Sequence, residues 1–357
     1  MTPATPTDSV VLDPIDEQIV HALQIAPRVG FARMGEVLGI GETTAARRYR
    51  RLRRSGLVRV TLAVDPAALG LTVWHARIRC RPEGAEVVAE ALARRDDVSW
   101  VAIDASGWEV TCSVRSTAGD EAQRLITRQL PKSQSVLDVE VAALLHTFVG
   151  GSATDWAAWS SPLSTDQQQA LARDEQCPPV IDDPPSGGPD GVTVLRADDR
   201  AILDALARDG RTSYAALARL TGSSPGRVRR RVEALLAAGI TYFDVDVAAA
   251  ASGIRTVVGL WLSVTPRSLA TVGAALADHP HVPFAAAVTG RHNLTASLAT
   301  RGFADVYGTV TTTLADLDGI VGYEIVPVGR RVKFADARVT GDRLAPPEPV
   351  RGQRTRR

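Results

Sequence analysis

The sequence predicts an α+β chain that uses one module twice: a tri-helical unit, then a βαββαβ unit, then both again. Three observations predict it. Residues 12–57 recur without a gap at 195–240. Leu12, Asp16, Ile19, Leu23, Arg28, Gly39, Arg47, Arg48, Leu52 and Gly56 return as Leu195, Asp199, Ile202, Leu206, Arg211, Gly222, Arg230, Arg231, Leu235 and Gly239. In each copy the apolar residues follow helical spacing and then turn to strand-like runs. The third helix of each copy is dense in arginine, in the strings GETTAARRYRRLRRSGLV and SSPGRVRRRVEALLAAGI. Repetition at this fidelity marks a unit that was duplicated and fused, so the function needs two copies held close together.

The elements follow in order. Residues 1–10 read as a frayed polar start. Asp13, Pro14 and Asp16 suit a helix N-terminus, and Ile15, Ile19 and Leu23 keep helical spacing behind them. A second helix runs from Phe31 to Leu38 and stops at Gly39; a third runs from about Glu42 to Arg54, with Gly56 as a left-handed cap. Three short helices with a glycine turn predict a helix-turn-helix, and the strand Leu57–Val64 makes a wing or a lead-out. Thr72–Cys80, Val98–Ala105, Glu109–Val114 and Val136–Phe148 read as strands, with helices at Glu83–Arg95 and Asp120–Leu130. That order is the ferredoxin-like split βαβ arrangement.

The expected division is a winged helix-turn-helix domain at 8–64, a ferredoxin-like domain at 65–149 and a linker at 150–191 interrupted by a short helix near Thr165–Glu175. A second winged helix-turn-helix domain at 192–247 and a second ferredoxin-like domain at 248–335 follow, then a disordered Arg, Pro and Gly-rich tail at 336–357. Gly107 aligns with Gly290 at the shift of the helical repeat. Beyond it Val110, Ile126, Leu130 and Glu140 align with Leu294, Val310, Leu314 and Glu324 at a shift larger by one. The extra residue is therefore expected in that turn.

Composition narrows the function. Hydrophobic residues make up 45% and charged residues 23% of the 357, as in ordinary globular proteins. No apolar run is long enough to cross a bilayer, and no basic-then-apolar leader opens the chain. Cys80, Cys112 and Cys177 are odd in number and scattered, which offers neither a disulfide framework nor a zinc site and favours a reducing cytoplasm. No cofactor or metal is expected, and no arrangement of residues suggests a nucleophile, so the chain is expected not to be an enzyme. The net charge of +1 conceals a local excess: Arg outnumbers Asp plus Glu by three or four in each repeated unit.

Ala45, Tyr49 and Leu52, like Val228, Val232 and Leu235, sit at i, i+4 and i+7 and form the buried stripe of the third helix. Arg47, Arg50 and Arg54 in the first copy, and Arg227, Arg230 and Arg231 in the second, lie partly or wholly off that stripe. With Arg48, Arg51 and Arg229 they are the candidates for double-stranded DNA, since a helix of this width enters the major groove and arginine meets phosphates or guanine edges. Arg48 and Arg51 carry the alternative of pairing with carboxylates of their own module. Ser224 before Pro225 caps the second of these helices and points backbone N–H groups at a nearby phosphate.

These residues resemble the Lrp/AsnC (feast/famine) family of transcription regulators. The family pattern L-D-x-x-D-x-x-I-L-x-x-L is met by Leu12, Asp13, Asp16, Ile19 and Leu23. Its later R, aromatic and G-L-S-x-x-T-V-x-R-R-V-x-R-L-x-x-x-G-V-I positions are met by Arg28, Phe31, Gly39, Arg47, Arg48, Leu52 and Gly56. The second copy matches through Tyr214, Ser224, Val228 and Val232. Gly41 stands where the family has Ser, and Arg196 replaces its Asp. The resemblance implies a regulator whose ferredoxin-like (RAM-type) domains sense a small molecule, usually an amino acid, and mediate self-association. Two fused modules further imply a DNA site less palindromic than a homodimer requires.

The family's G-x-x-D/N turn before the third strand of that domain is matched by Gly290, Arg291, His292 and Asn293, and by Gly107, Trp108 and Glu109 one residue shorter. The resemblance makes these the candidate ligand residues; a glycine hairpin with no ligand role is the plain alternative. Some two-module chains of this kind are siroheme decarboxylases, whose sites use His and Arg in the sensing domain. Here His75 and Arg77 lie on the first strand, but Val258 and Leu260 stand at the repeat positions, so that enzyme is the alternative reading.

Overall fold

The computed structural model describes residues 12–117, 124–150, 162–175, 195–335 and 337–346. The first half opens with α1 (Pro14–Ile25), capped where the Asp13 carboxylate accepts the Asp16 N–H at 2.9 Å. Next are α2 (Phe31–Leu38) and α3 (Glu42–Arg54). Gly35 within α2 lets the turn between them pass close: a Cβ there would lie 2.6 Å from the Ile40 carbonyl oxygen. Then come β1 (Val58–Val64), β2 (Thr72–Cys80), α4 (Gly84–Ala93), β3 (Val98–Asp104), β4 (Glu109–Ser116) and β5 (Val136–Val149). Of the helix expected at Asp120–Leu130, residues 120–123 lie outside the described residues, and Leu125–Gln129 is a π-helical turn.

The helix in the linker, α5 (Thr165–Glu175), is more than an interruption. Leu163 and Leu171 are buried with α1 and α2, and the Gln167 amide donates to the Val37 carbonyl at 2.9 Å. The first module thus has a fourth helix that the second lacks among the described residues. The remainder of the expected linker, 151–161 and 176–191, lies outside them, as do residues 192–194 of the expected second helix-turn-helix domain.

The second half repeats the order with α6 (Ala197–Arg208), α7 (Tyr214–Thr221), α8 (Pro225–Ala237), β6 (Thr241–Val247), β7 (Thr256–Val264), α9 (Leu269–Ala277), β8 (Phe284–Val288), β9 (Leu294–Thr300), α10 (Phe303–Thr309) and β10 (Ile320–Phe334). Two strands follow, β11 (Ala337–Thr340) and β12 (Arg343–Leu344). They correct the expectation of a disordered tail from 336. β11 pairs back on β10, Ala337 and Leu344 are buried in a small cluster with Ala248, and the Leu344 N–H donates to the Gly56 carbonyl of the first half at 2.9 Å. Residues 347–357 of the expected tail lie outside the described residues.

The halves pair with each other inside the chain. β1 and β6 form a two-stranded antiparallel sheet from Val58↔Val247 to Val64↔Thr241. β1 is not left as a free strand: Val58, Val60 and Leu62 share one face, buried in the helical core, and β6 covers one hydrogen-bonding edge. One hydrophobic cluster runs through both helical units. Each ferredoxin-like sheet has the order β3-β4-β2-β5 or β8-β9-β7-β10. The long strands join them. β5 pairs β2 through residues 74–80 and β8 through Leu144–Val149; β10 pairs β7 through Ile320–Pro327 and β3 through Val328–Lys333. The sheet therefore closes on itself, four strands from each half.

Register corrects one alignment. Arg77↔Thr111 in the first sheet matches Trp261↔Thr295 in the second, so the repeat shift has already grown by one at β2. The added residue lies between Gly70 and Thr72 in the first half's terms, where Leu71 is answered by Ile254 and Arg255. The turns from Asp104 to Glu109 and from Val288 to Asn293 have equal length; only their glycine has moved by one place.

Two recurring arginines hold the helical units together. The Arg28 guanidinium donates to the carbonyls of Gly210 and Thr212, and Arg211 donates to those of Pro27 and Val29 at 2.7 Å each. Arg28 also stacks 4.5 Å over Tyr214 and Arg211 4.6 Å over Phe31. Because the exchange is reciprocal, Arg28→Ala and Arg211→Ala are expected to destabilise the chain alike, by about 1.5–3 kcal/mol each as hydrogen bonds from a charged group. Urea unfolding of the two variants checks this.

Candidate nucleic-acid interface

The ten side chains expected to meet DNA separate into two groups. Arg47, Arg50 and Arg54 on α3 and Arg227, Arg229 and Arg230 on α8 are exposed. Arg229 bonds Glu233 one turn on at 2.7 Å, a surface pair of small energy. Ser224 is exposed at the start of α8, where its hydroxyl accepts the Arg227 N–H at 3.3 Å. The start of α3, at Gly41, has no side-chain cap.

Arg48 and Arg231 belong to the other group and are removed from the expected contact face. Arg231 is 8% exposed and holds Asp199 through two bonds of 2.7 Å. Burial alone would raise the Asp199 carboxyl, but Arg231 and the Arg196 N–H hold it below the usual carboxylate range. Arg48 makes the equivalent contact to Asp16 at 3.0 Å and also bonds Asp13. Arg51 is mostly exposed but also bonds Asp16. The repeated Asp and the repeated Arg are thus one ion pair tying the first helix to the third in both copies. Sequence reasoning missed Arg53, which reaches Asp209 of the other module at 2.9 Å. Its repeat position is Leu236, so recurrence gave no signal.

The candidate ligand residues also divide. Glu109 is buried and accepts two bonds from Arg77, at 2.8 and 3.1 Å. Asn293 is committed on both sides of its amide to the Val264 backbone, at 2.8 Å each. Both side chains are therefore held by groups of the fold itself. Gly107 and Gly290 have φ of 77° and 106°, the left-handed side where glycine is favoured. Trp108 is exposed. Arg291 is 76% exposed, with Glu140 3.9 Å away. His292 lies 3.6 Å from Glu324 and 3.3 Å from the Ser263 hydroxyl.

Between the two half-sheets lies a cavity of about 10 Å³ lined by His75, Arg77, Glu140, Ala142, Trp261, Thr289 and His292. Strand alternation puts His75 and Arg77 on this face of β2 and Ala76 and Ile78 on the helix-covered face. Arg77 stacks 5.1 Å from Trp261 and bonds both oxygens of Glu324, at 2.7 and 2.8 Å, besides Glu109. Burial alone would weaken its hold on the proton; the two carboxylates reverse that, and its pKa is raised. Arg77 in turn keeps Glu324 below its usual value. Among the described residues no group of His, Cys, Asp and Glu could hold a metal ion, and no helix is long and apolar enough to cross a membrane.

Two outcomes are expected. Arg231→Ala leaves Asp199 buried without its cation and should cost about 3–5 kcal/mol in urea unfolding, whereas Arg227→Ala should change stability by less than about 0.5 kcal/mol. Burial pushes the His75 imidazole down to about 4, so it is neutral in the folded chain at pH 6.5, where an unfolded histidine is half protonated. The unfolded state then binds more protons, and stability should fall as pH drops from 6.5 to about 4, by up to about 1.4 kcal/mol per pH unit, with no further loss below. Denaturation at stepped pH should show that slope reduced in His75→Gln.

Known proteins share this architecture. The AsnC-type helix-turn-helix domain matches residues 12–53 and again 197–236. An HTH-type transcriptional regulator of Pyrococcus abyssi is 30% identical over 131 residues, 35% of this chain and 87% of that one. LrpA of the same organism, also an HTH-type transcriptional regulator, is 26% identical over 138 residues, 38% of this chain and 98% of that one. The crystal structure of the siroheme decarboxylase NirDL superposes with a TM-score of 0.60 at 14% identity, over 90% of this chain and 93% of that one, a likeness of fold alone. The repeated helix-turn-helix and its regulator relatives agree with the geometry: the chain belongs to the Lrp/AsnC family of transcriptional regulators and carries two of the family's modules in one polypeptide.

Proposed function

We propose that the chain binds double-stranded DNA in a sequence-specific way through α3 and α8, and that a small metabolite of the amino-acid class tunes this binding. The observation that carries the DNA reading is the sorting of arginines. Arg48 and Arg231 turn to carboxylates of their own module while Arg47, Arg50, Arg54, Arg227, Arg229 and Arg230 stand exposed on the third helices, and the two copies are held as one body by the Arg28–Arg211 exchange and the β1–β6 sheet. Two such helices dock in successive major grooves about 34 Å apart. Their exposed faces differ, Arg47, Arg50 and Arg54 against Arg227, Arg229 and Arg230. The half-sites they read therefore differ as well.

For the effector, the exposed Arg291 in the turn after β8 is the group best placed to take a carboxylate, because Arg77 already bonds two. Self-association of whole chains through the sensing domains is supported by apolar side chains left exposed there, among them Leu137, Phe303, Tyr307 and Val321.

A second reading, a siroheme-decarboxylase-like enzyme, is favoured by the fold shared with NirDL and by His75, Arg77 and His292 lining one cavity. Against it stand the size of that cavity and the carboxylates already on Arg77. A Soret shift on adding siroheme would favour the enzyme.

The DNA reading is tested by fluorescence anisotropy on DNA from upstream of the chain's own gene over a range of salt. Affinity should fall steeply with salt. The slope of log K against log salt should shrink by about 0.9 for each phosphate-binding arginine removed, in Arg47→Ala, Arg50→Ala and Arg227→Ala. Binding that ignores salt, or no binding, overturns the proposal.

A further inference from the structure

The interface between the two halves is built in two ways. Some of its bonds are reciprocal, as expected for two copies of one module: Arg28 with Arg211, and the Thr289 N–H on Ala143 with the Ala105 N–H on Pro327. Others have no counterpart across the pseudo-twofold axis. Arg59 on β1 bonds Asp246 on β6 at 2.9 Å, with the side chains 9% and 1% exposed. The mirrored pair in the same ladder is Ala63 and Tyr242. Arg53 bonds Asp209, and the mirrored positions are Leu236 and Ala26. Arg77 bonds Glu324, and the position equivalent to Arg77 is Trp261. In all three the cation comes from the first half and the carboxylate from the second. Arg330 to Glu86 and Arg338 to Glu90 run the other way, and Ala270 and Ala274 stand where Glu86 and Glu90 would repeat.

We propose that these unreciprocated ion pairs are a partner code, by which each half accepts the other and rejects a second copy of itself. A first half on a first half would set Arg59 against Ala63 and Arg53 against Ala26; only Arg77 would find a carboxylate, Glu140. A second half on a second half would set Asp246 against Tyr242 and Asp209 against Leu236. It would also bring Asp244, which faces Thr61 near the centre of the ladder, opposite another Asp244. A charge buried without its partner loses hydration and gains nothing in return. Discrimination by charge needs both the attractive pair and the penalised alternative, and the β1–β6 ladder supplies both. The fused chain is on this reading a heterodimer on one polypeptide, closed to exchange of its halves with a neighbouring chain of the same sequence. The inference does not rest on DNA binding.

The test uses the full chain with a protease site placed between residues 176 and 194. Unlabelled and ¹⁵N-labelled preparations are cut, mixed, unfolded in urea, refolded together and weighed by native mass spectrometry. First-with-second pairs should exceed homotypic pairs by at least about 10-fold, and Arg59→Asp should lower that excess several-fold while Arg59→Asp with Asp246→Arg restores it. A statistical mixture of the three pairings overturns the proposal. The uncut chain gives a second measurement that needs no reassembly. Each single reversal should lower the urea midpoint, and the double reversal should recover at least half of the loss. A double variant as unstable as the two singles added together overturns the proposal too.

Discussion

Arg28 and Arg211 each leave their own module to bond the backbone of the other, and this exchange sets the geometry of much of the remaining structure. A guanidinium has five donors in a plane and cannot shed its charge, so it is well suited to gathering the carbonyls that a loop leaves unsatisfied. Each arginine takes two such carbonyls and lies on an aromatic face of the partner module. With the two modules fixed against each other, β1 and β6 meet in register, and the helical units share one core. The chain thereby does internally what two chains of a single-module relative would have to do by association, and concentration drops out of the pairing.

Much of this was legible in the sequence, because duplication wrote each structural rule twice. α2 and α3 begin and end where glycine and apolar spacing placed them, and both βαββαβ orders follow from strand and helix periodicity. The misreadings have a common cause. Periodicity reports which face of an element is apolar, but not what covers it. It could show that Leu57–Val64 is a strand, but not that β6 lies against it. It could show that Arg48 and Arg231 lie near the edge of the buried stripe, but not that Asp16 and Asp199 wait beneath them. The tail was read from its Arg, Pro and Gly content, which hides two short strands that pair back on β10 and reach Gly56, hundreds of residues earlier, through one backbone bond.

The candidate site was legible where the two copies agree and illegible where they differ. Recurrence singled out Arg28 and Arg211, although only the structure gives their task. Arg53, Arg59 and Arg77 have Leu236, Tyr242 and Trp261 as counterparts, and a search for repeated residues passes over them. Divergence between fused copies carries information of its own. A residue that is charged in one copy and apolar in the other, at the seam between them, marks a place where symmetry was given up for a specific contact.

The closed sheet also has a consequence for synthesis. β3 lies in the first third of the chain, and its ladder partner on one side is the distal part of β10, at Val328–Lys333. Until the ribosome has made that stretch, the first half is complete in sequence but keeps a bare edge along β3 and an unmatched end on β5. Nascent chains on one messenger crowd together with these edges open. Burying the mismatched arginine of β1 would discourage two unfinished neighbours from zipping together, so that each waits for its own second half to emerge.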